Sequence, residues 1–271
     1  MIIDFHTHIF PDRIAEKTIS ILSEKAGFPN YLDARSESLI RSMEESLIDK
    51  SVLLPALTSP KQFDSVNRYT AETAALSKGK LIPFGGIHPD CDLLLNKIEF
   101  LSKNGFSGIK LHPDYQDTYI DDNKYVEIIT LAVKYGLAVT VHAGVDCGLP
   151  DPVHCTPERS CKMLEKVFAA TQGYTPKIIL AHMGGYMMGE DVLRLLCGAD
   201  IYFDTGFTLF EKDLEMTLRI IEKHGADKIL FASDSPWAPQ KEYVDVLKGS
   251  GLSEDKLEMI FAKNAVTLLN L

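Results

Sequence analysis

At 271 residues, 45% hydrophobic and 24% charged, the chain has the makeup of a soluble globular protein and the length of one barrel-sized α/β domain or two ordinary ones. A net charge of −10 argues against a nucleic-acid footprint, which needs clustered Lys and Arg, and against an anionic membrane surface. No apolar run approaches the roughly 18 residues that span a bilayer, no basic leader precedes Asp4, and five cysteines are unlike a disulfide framework, so a reducing cytoplasm is expected.

The chain opens on an apolar run, residues 2–6, that leads into His6-x-His8. Strand alternation would place Asp4, His6 and His8 on one face, with successive same-face positions about 6.5–7 Å apart. Imidazoles so placed lean onto one ion at roughly 2.0–2.1 Å per bond, but two ligands do not complete a site. The first crossover is long and predicts two helices, near 13–26 and 36–48, broken around 27–30.

Further apolar runs follow at 51–55, 81–85, 108–111, 137–142, 177–182, 200–204 and 228–233. Several are nearly continuous in β-branched and aliphatic residues, which suits parallel strands buried on both faces. Between them the apolar spacing is near 3.6. Residues 123–134 carry Tyr125, Ile128, Ile129, Ala132 and Val133, with Asp121 or Asp122 as the cap. Residues 161–169 and 214–221 read similarly, and the chain ends in helix at about 240–248 and 253–268. No linker, repeat or low-complexity segment divides residues 1–271, so one domain is expected.

Eight strands alternating with helices predict an α/β fold, a (β/α)8 TIM-type barrel with its site at the C-terminal ends of the strands. A doubly wound open sheet is the alternative. Its phosphate-binding glycines are missing after the first strand, where Thr7-His8-Ile9-Phe10 stands.

Polar residues gather at those strand ends. His6 and His8 end the first run, and His88 follows the third. Lys110 and His112 end the fourth, His142 the fifth, His182 the sixth, Asp204 the seventh and Asp234 the eighth. Only His224, of eight histidines, sits late in a helix. Core histidines would not prefer one rim, so a metal site is expected there. Neutral imidazoles and a carboxylate that leave one coordination place open lower the pKa of a water towards about 7.

The array His6-x-His8, His142, His182 and Asp234 resembles the amidohydrolase superfamily. The phrases Val141-His-Ala-Gly144, Ala181-His-Met-Gly-Gly185 and Ser233-Asp-Ser-Pro-Trp237 are similar to the branch that includes aminocarboxymuconate-semialdehyde decarboxylase and the pyrone-dicarboxylate lactonases. The resemblance runs to Lys263-Asn-Ala265 and is weak on substrate. It implies one divalent ion, Zn2+ first and Mn2+ next, held by His6, His8, His142 and Asp234, with His182 as catalytic acid/base. Asp234 is either a ligand or itself the base on the water. Lys110 is either an unmodified cation that holds substrate or pairs with Asp204 or Asp234, or the carboxylated bridge of a two-metal site. In the second case His182 would bind the second ion.

Residues 145–160 carry prolines and no helical pattern, which fits a binding loop or lid. Arg159 there is a candidate clamp for a substrate carboxylate, and His112 shares the face of Lys110. Tyr186, Phe207 and Trp237 follow strands six, seven and eight, either walling the pocket or packing the rim; Trp237 is counted with the substrate-binding candidates. The reading is a metal-dependent hydrolase of a small ester, lactone or amide. The alternatives are a non-oxidative decarboxylase of an aromatic or enoic acid and a metal-binding barrel without activity. The expected partner is a small molecule, a carboxylate among the candidates, with no nucleic acid, no membrane, and self-association left open.

Overall fold

The computed structural model describes residues 1–149 and 151–271. The strands are β1 (Ile3–Thr7), β2 (Lys50–Leu53), β3 (Leu81–Gly86) and β4 (Gly108–Leu111), then β5 (Ala138–Val141), β6 (Ile178–Leu180), β7 (Tyr202–Asp204) and β8 (Ile229–Leu230). All pair in parallel and in chain order. Phe5 N donates to Phe231 O at 2.8 Å, Asp234 N to His6 O at 2.9 Å and His8 N to Ser235 O at 2.7 Å, which brings β8 back against β1. The architecture is the expected TIM barrel.

Helices fill the crossovers. Two, α1 (Asp12–Ala26) and α2 (Ser36–Ser46), occupy the first, followed by α3 (Phe63–Leu76), α4 (Leu94–Lys103) and α5 (Asn123–Lys134). Asp122, not Asp121, caps α5, accepting from Lys124 N at 2.9 Å. Next come α6 (Pro157–Ala170), α7 (Gly189–Leu195), α8 (Glu211–His224) and α9 (Gln240–Lys248). The apolar pattern places the start of α6 four residues late. Thr156 caps it and Pro157 opens its first turn, where the ring's fixed φ suits a helix and its missing N–H costs nothing. The candidate lid therefore ends at Thr156; its Pro150 lies outside the described residues. The final helical stretch is α10 (Glu254–Glu258), one π turn (Met259–Lys263) and α11 (Asn264–Leu269).

Two apolar layers result. Outward residues such as Leu53, Ile109, Val139, Leu180 and Phe203 pack under the helices. Inward residues, including Phe5, Leu54, Phe84 and Ile179, pack against Ala265 and Leu268, so α11 plugs the N-terminal end of the barrel.

Strand β1 departs from simple alternation. Its register slips between Asp4 and Thr7, three steps on β1 against two on β2. Ile3 and Phe5 face inward below the slip. Asp4 turns the other way, where Oδ2 accepts from Gln240 Nε2 at 2.8 Å and from Ser233 Oγ at 2.5 Å. Asp4 therefore does not share a face with His6 and His8. A bulge re-aims a side chain in this way, and here it leaves Asp4 as a buried link from β1 to the segment after β8 and to the start of α9. Burial raises its carboxyl to about 6 against the pull of those hydrogen bonds.

No helix is long and apolar enough to cross a membrane among the described residues.

Candidate metal centre

His6 and His8 leave the bulged end of β1 with their Nε2 atoms 3.1 Å apart. Each ring is oriented by its other nitrogen. His6 Nδ1 donates to Asp204 Oδ2 at 2.9 Å, and His8 Nδ1 donates to Leu54 O at 2.7 Å. With both Nδ1 atoms protonated, both Nε2 atoms present lone pairs to the same small space, an arrangement that calls for a cation. Asp234 Oδ1 completes a triangle, 3.4 Å from His6 Nε2 and 3.2 Å from His8 Nε2. Bonds of about 2.0–2.1 Å to one tetrahedral ion would set ligand-to-ligand edges of roughly 3.3–3.4 Å. The separations of His6, His8 and Asp234 are close to those edges, and their ligand atoms form one close group.

His142 and His182 stand beside this triangle. His182 Nδ1 donates to Gly206 O at 2.8 Å, so Nε2 is its unprotonated nitrogen, and it accepts from His142 Nδ1 at 3.0 Å. The ring of His182 is 5.0 Å from that of His6 and 4.8 Å from that of His142. His142 Nε2 is buried with no partner. The ligand set implied by the resemblance is thus assembled as three donors in one group, with His142 adjoining through His182.

Electrostatics keep these rings ready to bind a cation. Burial holds His6 well below the ordinary imidazole value, and the Lys110 ammonium adds to this. Burial lowers His142 and His112 likewise. Burial presses Asp234 upward, yet His6 and His8 hold it below the usual carboxylate value. Neutral imidazoles and an ionised carboxylate are the forms that bind metal.

Lys110 projects from β4 into the same cluster, with Nζ 3.1 Å from His6 Nε2. It is 1% exposed, and burial pushes it down to about 8 against the pull of Asp204 and Asp234. His112 stacks on His142 at 4.1 Å and places Nε2 3.3 Å from Asp146 Oδ2. Arg159 is placed elsewhere, on the first turn of α6. Its Nη1 donates to Asp121 Oδ1 at 2.7 Å and its guanidinium lies 3.8 Å over the Tyr119 ring. Trp237 lines a cup on the rim with Phe28, Phe207 and Phe210.

Two carboxylates are more central than the sequence indicated. Asp204 holds the site together: Oδ2 accepts from His6 Nδ1, while Oδ1 accepts from His182 N at 2.9 Å and Gly206 N at 3.0 Å. Its place at the end of β7 was a signal; its choice of partner was not. Asp146, in the loop after β5, forms a further potential metal-holding group with His112 and His142, and no motif marks it.

Backbone strain turns these groups inward. His182 and Asp234 adopt φ of 56° and 68°, the left-handed region that side chains other than glycine avoid at a cost of roughly 1–3 kcal/mol. Gly206 is needed for a different reason: a Cβ there would stand 3.0 Å from Asp204 Oδ1 and 3.2 Å from His6 Nδ1.

The profile of the family described as Amidohydrolase matches residues 3–271. The chain belongs to the amidohydrolase family. No curated protein matches it in sequence. Solved structures that share its fold include 5-carboxyvanillate decarboxylase from Sphingomonas paucimobilis, at TM-score 0.71 and 16% identity, covering 100% of this chain and 99% of that one. A 2,6-dihydroxybenzoate decarboxylase from Rhizobium gives TM-score 0.72 at 16% identity, covering 99% and 98%. A probable 2-pyrone-4,6-dicarboxylic acid hydrolase from Acinetobacter baumannii, with citric acid bound, gives 0.70 at 15% identity, covering 100% and 99%. At these identities the likeness is one of fold.

Proposed function

We propose that this amidohydrolase-family protein is a metal-dependent hydrolase that opens a small ester, lactone or amide. His6, His8 and Asp234 would hold one divalent ion, zinc first and manganese next, with His142 as the further donor. When bound, the ion supplies Lewis acidity and an activated water. The observation that carries the reading is the fixed tautomer of His182. Its Nδ1–H is committed to Gly206 O, so Nε2 carries the lone pair; it lies 3.0 Å from His142 Nδ1 and is the nitrogen that takes a proton on the side where His6 and His142 lie. The same nitrogen then returns that proton to the leaving group. Asp204 steadies both His6 and the backbone of His182, and Lys110 offers positive charge to an anionic substrate or to charge that develops on the carbonyl oxygen.

Lys110 also favours a second reading. A buried cation beside a cluster of imidazoles suits a substrate carboxylate, and two of the solved relatives are decarboxylases of aromatic acids. In that reaction the carbon–carboxylate bond breaks, CO2 leaves and a proton is delivered to carbon, with His182 as its carrier.

Elemental analysis of protein purified without chelators should find about one divalent ion per chain. The metal-loaded protein should then be given a panel of lactones, esters and aromatic acids while acid production and CO2 release are followed. Acid production without CO2 supports hydrolysis, and CO2 release supports the second reading. A protein that binds no zinc and turns over nothing on the panel overturns both.

A further inference from the structure

Residues that follow β7 and β8, with others from the first crossover, form a cup of about 610 Å³ on the rim. Phe28, Tyr31, Phe207, Phe210 and Trp237 supply aromatic walls, and Lys212 is the one cation that lines it among the described residues. The cup is built on the ends of the catalytic strands. Phe207 follows Gly206, the residue that orients His182, and its N donates to Ser233 O at 3.3 Å. Trp237 N donates to Asp234 O at 2.9 Å, and Tyr31 N to Pro236 O at 2.8 Å. Phe207 packs edge-on against Phe28 at 5.3 Å and Phe210 at 5.0 Å, so the walls brace one another.

Lys212 is 60% exposed, and its head group is steered by its neighbours. Its Nζ donates to Tyr186 Oη at 3.1 Å and lies 5.7 Å from the centre of the Phe28 ring and 5.8 Å from that of Tyr186. Two acids face it: Asp213 Oδ2 at 3.9 Å, and Glu211, which lines the cup. Apolar rings with one held ammonium suit a flat, unsaturated body that ends in an anion. The reacting end of such a body would lie towards the histidines.

We propose that Lys212, held by Tyr186, selects substrates that carry an anionic group on the end of a planar ring away from the metal centre. This rests on the reading of that centre as the reacting end, but its test does not need turnover. Trp237 is the only tryptophan in the chain, so its fluorescence reports occupation of the cup. The zinc-loaded protein is titrated with isophthalate and with 3-carbamoylbenzoate, which share one carboxylate and differ in charge at the other end. Isophthalate should bind about two- to fivefold tighter, the range of one exposed charge pair. Lys212→Met should erase that preference, Lys212→Arg should keep it, and Glu211→Gln should enlarge it. Equal binding of both probes by the parent, no binding of either, or an unchanged preference in Lys212→Met overturns the proposal. Should the protein prove to hydrolyse and decarboxylate nothing while this preference holds, the functional reading falls and the anchor stands.

Discussion

At the bottom of the barrel, Ala265 and Leu268 of α11 press apolar surface into the strands, and His224, which ends α8, is fully occupied. His224 Nδ1 accepts from Gly198 N and Nε2 donates to Ile201 O, both at 3.1 Å, while its ring stacks on Phe203 at 4.1 Å. At the top, His6 and His8 each have one nitrogen tied to an oxygen and the other turned on its neighbours, and His182 repeats the pattern. His142 leaves a buried nitrogen with no partner at all. Buried polar groups are normally satisfied, so a histidine whose two nitrogens both meet the backbone is structural, whereas rings whose second nitrogen meets only another imidazole or an ammonium, beside the orphaned nitrogen of His142, form a donor cluster. The same strands thus carry a finished end and an unfinished one.

The sharpest way to break this comparison is at His182. In His182→Asn, turnover should fall by about 10²–10⁴-fold, the worth of one positioned proton-transfer group. Metal per chain should hold steady, because the proposed ligands remain. Two ions in the parent falling to one in the variant would make His182 a ligand and Lys110 a carboxylated bridge.

Next in size is the finished end. Leu268→Ala removes a side chain that is 3% exposed, and should cost about 2–5 kcal/mol in urea unfolding. Metal content in the folded variant should match the parent. A variant that loses metal before it unfolds would show that the two ends are not separable.

Asp204→Asn tests the support rather than the donors. It keeps the shape but weakens the hold on His6 Nδ1, and should lower metal affinity by about 10–100-fold, read by competition with a chelator. Unchanged affinity would remove Asp204 from the site.

The smallest effect belongs to His224. Burial lowers its pKa, so as pH falls below its ordinary value of 6.5 the unfolded chain takes up a proton that the native chain refuses. The stability contributed is present above that value and is lost on acidification. Melting temperature should therefore drop more steeply between pH 7 and pH 5, in about a one-proton manner, for the parent than for His224→Gln. Parallel curves would mean that His224 titrates alike in both states.

Much of the barrel was readable because burial on both faces leaves long unbroken apolar runs, and these mark all eight strands. Helices α3, α4 and α7 were not individually placed, and α6 began earlier than its apolar spacing. That start depends on Thr156 and Pro157, which carry no periodicity. Arg159 looked free in a loop, yet it lies on a helix and is matched to Asp121, a partner 38 residues away.

Residue type and position along the chain determined which side chains would crowd the rim, since a parallel strand ends where its polar residues begin. Only the closed structure decided how they divide the work. The bulge in β1 separates Asp4 from His6, and Asp204 reaches 198 residues back to orient His6. Which nitrogen of each imidazole is free follows from such partners across the barrel. Hydrogen bonds between distant strands are a property of geometry, and no local pattern encodes them.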